Sequence, residues 1–363
     1  MTPRVAVVGA GLAGLACARA LEERDVRVTV LDKGRSVGGR LATRRIPPHT
    51  FDLGAQYFTA RGERFQRVAR SWLDDGVCAP WRGRIVAVDG TGDPPRPVEA
   101  IDRLVGTPDM NALARHLARG LHVRTGHRVE SIARHDGTLT LRGTVAPAGV
   151  TLGPAAHHGS VLDDLGSYDC VVVCLPAPQA ALLLAPVSAR LAAEARAVTL
   201  DPCLAVALAA GEHDERALRG LDFDGAFVGR EGTPSASALA WVARDSSKPG
   251  RPAGERWVLH ASASWSRAWW AAPVAEVTEA MLTELSMLFD LGHLRPALTW
   301  VHRWSLARAA TPLACGALFD DEGRVGLGGD WASGGRIEGA FLSGLALADR
   351  VLAEGVPRPS VRS

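Results

Sequence analysis

The sequence has very little lysine, and its cysteines lack the spacing of a metal site. Only two of the 41 basic residues are lysine, Lys33 and Lys248, so chemistry that depends on a lysine has few candidates. The six cysteines are scattered along the chain, and we expect them to be buried, reduced thiols in a cytosolic protein. We therefore expect no metal site and no structural disulfide.

An excess of charge of one sign is also missing, as are long hydrophobic runs. The formal net charge is +2 and no run of five like charges occurs, which argues against a nucleic-acid partner or an anionic membrane. The longest apolar stretch, residues 170–187, is interrupted by three prolines, so we expect no membrane span. An apolar strand pattern begins at Val5 without a charged leader, which predicts no secretory signal and a cytoplasmic location.

The N-terminal residues follow the order strand, glycine-rich turn, helix and strand. Residues 4–9 (RVAVVG) form a β-branched apolar run that is typical of a buried parallel strand. A helix is predicted over residues 15–24 and a second strand over residues 26–31. With 363 residues, of which 47% are apolar, the chain is long enough for two ordinary domains.

The turn between the first strand and the helix predicts a dinucleotide-binding site. Gly9 permits a tight turn, Gly11 lets a pyrophosphate approach the backbone, and Gly14 lets the helix and strand pack closely. Asp32 follows 18 residues beyond Gly14, where it would accept hydrogen bonds from ribose hydroxyls and repel a 2′-phosphate.

The rest of the chain does not continue as a regular alternation of strands and helices. Residues 33–100 are irregular and rich in arginine and proline, and residues 145–167, including His157-His158, are expected to form a solvated loop or hairpin without a metal. The other predicted elements are a helix over 109–120, strands over 122–125, 128–134, 138–142, 168–175, 203–210, 257–263 and 324–327, and a last helix ending near Leu352. The last fifty residues are therefore expected to complete the nucleotide-binding unit, with a mainly β domain inserted.

Three motifs together resemble the flavin-dependent amine-oxidase-like superfamily. They are Gly9–Gly14 with Asp32, then Val37-Gly38-Gly39-Arg40, and finally Gly329-Asp330 with Gly334-Gly335-Arg336-Ile337-Glu338-Gly339-Ala340. Within that superfamily the chain resembles bacterial renalase-like proteins. This narrower resemblance rests on residues 51–59 (FDLGAQYFT), 106–110, 246–251 (SSKPGR), 257–262 (WVLHAS) and 302–304 (HRW).

The resemblance implies an α/β (α+β overall) fold, in which a Rossmann-type, glutathione-reductase-like domain binds FAD non-covalently. Residues 1–57, 103–177 and 315–356 would form this FAD-binding domain, and residues 58–102 and 178–314 the inserted, mainly β substrate domain. Asp330 would bind the ribityl or pyrophosphate region, and the backbone of Val129 would meet the adenine. The implied cofactor-binding residues are Gly9, Gly11, Gly14, Asp32, Lys33, Gly39, Arg40, Gln56, Val129, Asp330, Arg336 and Ile337.

The candidate catalytic residues are Gln56, Tyr57, His260 and Arg336. Arg336 occupies a position where amine oxidases of the superfamily carry an aromatic cage residue, and an arginine there disfavours a cationic amine. An ion pair of Arg336 with Glu338 or Asp330 remains an alternative. Lys248 lies in a Ser-Ser-Lys-Pro-Gly segment that is typical of a turn, so we do not expect it to act as an amine-oxidase lysine.

The resemblance implies an oxidase that takes hydride from a dihydronicotinamide isomer at flavin N5 and passes the electrons to O2, giving H2O2. Such a donor needs no general base, because it becomes aromatic when it loses hydride. Trp265, Trp269, Trp270, Trp300 and Trp304 would suit a planar heteroaromatic substrate, although core packing is an open alternative for each. Two further alternatives are an oxidase or dehydrogenase of another small molecule, such as an amine or a biosynthetic intermediate, and a flavin-binding interaction protein without turnover.

Overall fold

The computed structural model describes residues 2–90, 92–147, 152, 162–229 and 237–355. Its strands are β1 (Arg4–Val8), β2 (Arg27–Asp32), β3 (Thr43–Ile46), β4 (His49–Asp52), β5 (Cys78–Pro80), β6 (Ile85–Val88), β7 (Arg96–Pro97), β8 (Leu104–Gly106), β9 (Val123–Thr125), β10 (His127–His135), β11 (Thr138–Val145), β12 (Asp163–Tyr168), β13 (Cys170–Val173), β14 (Leu200–Ala209), β15 (Gly225–Val228), β16 (Leu239–Arg244), β17 (Arg256–Ala261), β18 (Leu298–Ala309), β19 (Leu318–Asp320) and β20 (Val325–Leu327). Its α-helices are α1 (Leu12–Glu22), α2 (Glu63–Asp74), α3 (Ala112–Ala118), α4 (Ala177–Leu184), α5 (Ala189–Arg196), α6 (Glu212–Arg219), α7 (Ala263–Ala268), α8 (Val274–Phe289) and α9 (Arg336–Arg350).

A six-stranded sheet in the order β19-β20-β13-β1-β2-β9 carries the glycine-rich turn. All neighbouring strands are parallel except β19 and β20. Val5 pairs with Val28 on one side and Cys170 on the other, so β1 lies in the middle, as its continuous apolar run predicts. The turn after β1 therefore lies at the carboxyl edge of the sheet, where open α/β sheets bind ligands.

A second sheet of seven mainly antiparallel strands has the order β18-β14-β17-β16-β15-β6-β7. One face packs on α8 through apolar residues such as Val206, Leu259 and Met281. The opposite face carries small side chains, among them Ala207, and packs on Phe51 at the end of the β3–β4 hairpin. The expected α/β fold with a sheet-rich second part is confirmed.

The predicted strand over residues 168–175 is instead two strands that belong to different sheets. β12 ends at Tyr168 in the antiparallel β10-β11-β12 sheet, whereas β13 starts at Cys170 in the parallel sheet. The Asp169 N–H donates to Arg4 O (2.8 Å) at the crossing. Residues 163–167 pair antiparallel with β11, which agrees with the hairpin alternative for residues 145–167. The change of partner strand at Asp169 was missed, because one apolar run cannot reveal it. His157-His158 lie outside the described residues.

The six cysteines are free thiols, but they are not all buried. Cys17, Cys78 and Cys170 are buried, Cys174 and Cys203 are partly buried, and Cys315 is exposed, so the expectation of burial is wrong for Cys315. Within the described ranges no group of three or more His, Cys, Asp or Glu side chains is placed to hold a metal ion. No helix in this part of the chain has the length and apolar character needed to cross a membrane.

Candidate active site

The glycine-rich turn after β1 leaves open space at one of its three motif glycines. A methyl group on Gly9 would lie 2.6 Å from Cys174 O, and one on Gly14 would lie 1.9 Å from Gly9 O. A methyl group on Gly11 would meet no atom within 4 Å. On Gly39 it would meet only Gly11 Cα, at 3.6 Å. Protein packing therefore explains Gly9 and Gly14, whereas Gly11 and Gly39 border a space that fits a cofactor close to the backbone.

Asp32 holds this turn together at the end of β2. Its carboxylate accepts hydrogen bonds from the N–H groups of Ala10 (2.7 Å) and Gly34 (2.6 Å). Each oxygen keeps a further lone pair that can accept a hydrogen bond from a ribose hydroxyl. Burial raises the pKa of Asp32, although both N–H bonds favour the carboxylate.

Two further predicted cofactor residues lie on β2 and β10 or next to them. Lys33 is exposed beside Asp32, and Val129 lies at a register shift in β10.

The second and third motifs contact each other directly through Arg40 and Asp330. Arg40 donates to both carboxylate oxygens of Asp330 and, from Nη1, to Ala307 O at 3.0 Å. Gly335 N donates to Asp330 O (2.7 Å), which fixes the start of α9 against the same residue. The predicted cofactor residues of both motifs therefore meet at one place.

Arg336 is exposed at the first position of α9 and has a positive φ of 67°. Neither alternative partner binds it, because Asp330 pairs with Arg40, while Glu338 accepts hydrogen bonds from the N–H groups of Arg61 (3.0 Å) and Gly62 (2.7 Å). No ion pair joins Arg336 to any residue in the described ranges. Ile337, the next residue, is buried.

The turn after β4 brings Gln56 and His260 together. Gln56 Nε2 donates to Gly54 O (3.0 Å) and to Asp52 O, and Gln56 Oε1 accepts from Lys248 Nζ (3.0 Å). Leu53 O faces the large sheet, where it accepts from His260 Nε2 (2.9 Å) and from Trp304 Nε1 at 3.0 Å. Both candidate catalytic side chains are thus engaged in holding the turn.

His260 is a neutral donor at physiological pH. Burial lowers its pKa to about 4, although the hydrogen bond to Leu53 O acts in the opposite direction. Since Nε2 donates to that carbonyl, the proton on the ring is committed to it.

Lys248 has a larger place in the site than its turn-like sequence predicts. It follows a 3₁₀ turn over Asp245–Ser247, as predicted, but its side chain is 0% exposed. Lys248 Nζ lies 2.7 Å from Asp245 Oδ1 and 3.8 Å from Asp52 Oδ2, and Arg251 also pairs with Asp52. The signal in the sequence was the rarity of lysine, since only Lys33 and Lys248 occur among the 41 basic residues.

The two carboxylates of this network differ in their electrostatics. Burial would raise the pKa of Asp52, but Lys248 and Arg251 bring it below its ordinary value. Burial raises the pKa of Asp245 despite Lys248, and Asp245 Oδ2 has no hydrogen-bond partner in the described part of the chain.

The predicted group of five tryptophans does not exist as one cluster. Trp265 and Trp269 stack at 4.7 Å and, with Trp270, pack on the α8 side of the large sheet. Trp300 and Trp304 pack on the opposite face. Composition does not reveal on which face of the large sheet each tryptophan lies, because side-chain alternation along β18 and the position of α7 determine it.

A different aromatic group surrounds Tyr57. Its ring centroid lies 5.6 Å from that of Trp241 and 6.1 Å from that of Trp81. Two cations lie over these rings: the Arg103 guanidinium is 5.4 Å from the Tyr57 centroid, and Lys248 Nζ is 5.8 Å from the Trp81 centroid. Cation–π attraction stabilises both contacts.

Two family models match the chain. One is described as an NAD(P)-binding Rossmann-like domain and matches residues 7–72. The other is described as flavin containing amine oxidoreductase and matches residues 85–352.

Solved structures and one curated protein are also similar. A putative protoporphyrinogen oxidase from Exiguobacterium sp. 255-15 has a TM-score of 0.73 at 14% identity, covering 98% of this chain and 99% of that one. Putrescine oxidase bound to putrescine has a TM-score of 0.69 at 12% identity, covering 97% and 99%. These identities support similarity of fold. Hydroxyneurosporene desaturase from Rubrivivax gelatinosus is 34% identical over 116 residues, which are 29% of this chain and 22% of the desaturase.

Proposed function

We propose, from the premise that this chain belongs to the flavin containing amine oxidoreductase family, that it is an oxidase of a small planar hydride donor. Its cofactor is FAD, and the protein is an FAD-dependent oxidoreductase. When bound, FAD supplies a hydride acceptor at N5 that dioxygen can reoxidise with formation of hydrogen peroxide.

The residues that would hold FAD are those of the three motifs. The backbone at Gly11 and Gly39 borders the open space, and Asp32 offers carboxylate lone pairs beside it. The first-turn N–H groups of α9 favour negative charge, since the N-terminus of a helix carries a partial positive charge. Arg40 and Asp330 lock this helix start to the second motif.

We propose that the donor is a dihydronicotinamide isomer. The observation that carries this proposal is that cations face the aromatic group around Tyr57. Arg103 lies over the Tyr57 ring without an ion pair among the described residues, and its charge repels a protonated amine, whereas Asp245 balances the charge of Lys248 over Trp81. The chemistry of Gln56 and His260 agrees with it, because an amide is not a base, burial lowers the pKa of His260 to about 4, and this donor needs no base.

The experiment is oxygen consumption with hydrogen peroxide detection, using the FAD-loaded protein and a panel of donors. The panel contains the isomeric dihydronicotinamide nucleotides and a set of primary and secondary amines. We expect turnover with at least one dihydronicotinamide isomer and none with amines. Turnover with amines alone would overturn the proposed donor.

A second candidate is a lysine-dependent amine oxidase, which the burial of Lys248 against Gln56 favours. Lys248 is the one buried lysine in the described part of the chain, and it lies beside a turn expected to be near the flavin. The same donor panel distinguishes the two candidates, because they oxidise different compounds.

A further inference from the structure

Arg44 on β3 is a cation without a counterion among the described residues. Its guanidinium carbon lies 4.1 Å from the centroid of the Trp300 ring. Arg44 Nε and Trp300 Nε1 are both buried, and neither donates a hydrogen bond to any described residue. Arg45, the next residue, faces the other way and pairs with Asp109 at 2.8 Å.

The surroundings of Arg44 are aromatic and contain no carboxylate at ion-pair distance among the described residues. Trp300, His302 and Trp304 share one face of β18 by alternation, and the His302 and Trp304 rings are 4.2 Å apart. Burial and the nearby Arg44 lower the pKa of His302, so His302 brings no second charge. Asp52 lies on the other face of the hairpin, where it binds Arg251.

This group adjoins the candidate active site. Trp304 donates to Leu53 O in the turn that contains Gln56, and Ala307 on the same strand accepts from Arg40 of the second cofactor motif. β18 therefore joins the Arg44–Trp300 pair to the residues that fit FAD.

We propose that Arg44 and Trp300 bind an anionic oxygen group, a phosphate or a carboxylate, of the donor substrate. The indole ring lies against the guanidinium by a cation–π contact, and Nε of the guanidinium has no hydrogen-bond partner among the described residues. Buried donors without partners are costly, and an anionic acceptor satisfies both with charge-assisted hydrogen bonds. The identity of the molecule that carries the anion rests on the proposed function.

The test is titration calorimetry on the FAD-loaded protein with four probes: NAD⁺, inorganic pyrophosphate, nicotinate and nicotinamide. We compare Arg44→Gln and Arg44→Lys with Arg45→Gln as the matched control, since Asp109 still keeps Arg115 in that variant. We expect Arg44→Gln to weaken binding of an anionic probe about tenfold or more, with Arg44→Lys intermediate. Nicotinamide binding, FAD content and the Arg45→Gln affinities should not change.

Each outcome has a defined consequence. Binding of pyrophosphate identifies a phosphate site, and binding of nicotinate without pyrophosphate identifies a carboxylate site. Equal anion affinities in wild type and Arg44→Gln overturn the site, as does loss of FAD in Arg44→Gln, which would assign Arg44 to the cofactor. Arg44-dependent anion binding without oxidation of dihydronicotinamides overturns the donor and leaves the site standing.

Discussion

At the scale of single residues, glycines of one motif have different roles. The space in front of Gly11 is open, whereas Gly14 touches the backbone of Gly9. We expect Gly11→Val to fold with an unchanged melting temperature as apoprotein and to lose FAD, because its side chain would fill the cofactor's place. We expect Gly14→Ala to be strongly destabilised. Flavin absorbance per protein after gel filtration measures the FAD content, and thermal melts by circular dichroism measure the stability of the two variants. Full FAD content in Gly11→Val would mean that the cofactor binds elsewhere.

His260 gives the molecule a dependence of stability on pH. Its pKa is about 4 in the folded protein and near 6.5 in the unfolded chain, so the unfolded chain binds more protons between these values. The stabilisation is complete above pH 6.5 and is lost as the pH falls towards 4, by at most about 3 kcal/mol. Gln can keep the bond to Leu53 O without titrating, so His260→Gln should reduce the loss.

Urea unfolding at pH 7.5 and pH 5 measures that difference. His213→Gln is the matched control, because His213 is exposed on α6. We expect the control to follow wild type and His260→Gln to lose less free energy of unfolding on acidification. Identical losses in all three proteins would show that His260 titrates normally.

At the scale of elements, local patterns were predictable and partner choice was not. β1, α1 and β2 could be located within a few residues, because strand, turn and helix signals follow one another without a long-range contact. The division between β12 and β13 depends on Leu139 and Val5, which pair with Tyr168 and Cys170 from distant parts of the chain. The burial of Lys248 likewise depends on Asp52 and Gln56, almost 200 residues away.

Lys248, in the turn after β16, and Arg336, at the start of α9, are expected to differ in their effect on the rate of flavin reduction. Lys248→Met leaves Asp245 buried without its cation, which should cost about 3–5 kcal/mol of stability. We still expect flavin reduction per folded enzyme to slow by less than about tenfold, equivalent to ~1.4 kcal/mol. Arg336→Met should slow it more, because this exposed cation, which has no ion pair in the described ranges, would orient a polar substrate at α9.

Anaerobic rapid mixing with the active donor measures the rate of flavin bleaching. Arg64→Met is the control for Arg336→Met, since Arg64 is an exposed arginine on α2 with only a 3.8 Å pair to Asp349. A Lys248→Met defect of several orders of magnitude beside a normal Arg336→Met would support the lysine-dependent amine oxidase instead.

At the scale of the whole molecule, the cofactor site is assembled from distant stretches of chain. The site joins β1, β2, the 3₁₀ turns at Gly39 and Asp330, and α9, which meet only in the folded state. We therefore expect yellow protein that releases free FAD when it is denatured, because no stretch by itself can retain the cofactor. Filtration of the denatured protein separates free flavin from the unfolded chain and so measures the release of FAD. Flavin that stays on the polypeptide would contradict non-covalent binding. Release of NAD alone would contradict the flavin assignment.

The contact between α1 and α9 fixes when FAD can be captured during synthesis. A methyl group on Gly344 of α9 would lie 2.2 Å from Ala13 O of α1, so the two helices meet backbone to backbone beside the glycine-rich turn. The ribosome makes β1 and α1 first and α9 only after more than 300 further residues. The nascent chain therefore contains the β1–α1 part of the flavin site, without α9, during almost the whole of translation. Binding of FAD must follow the emergence of α9.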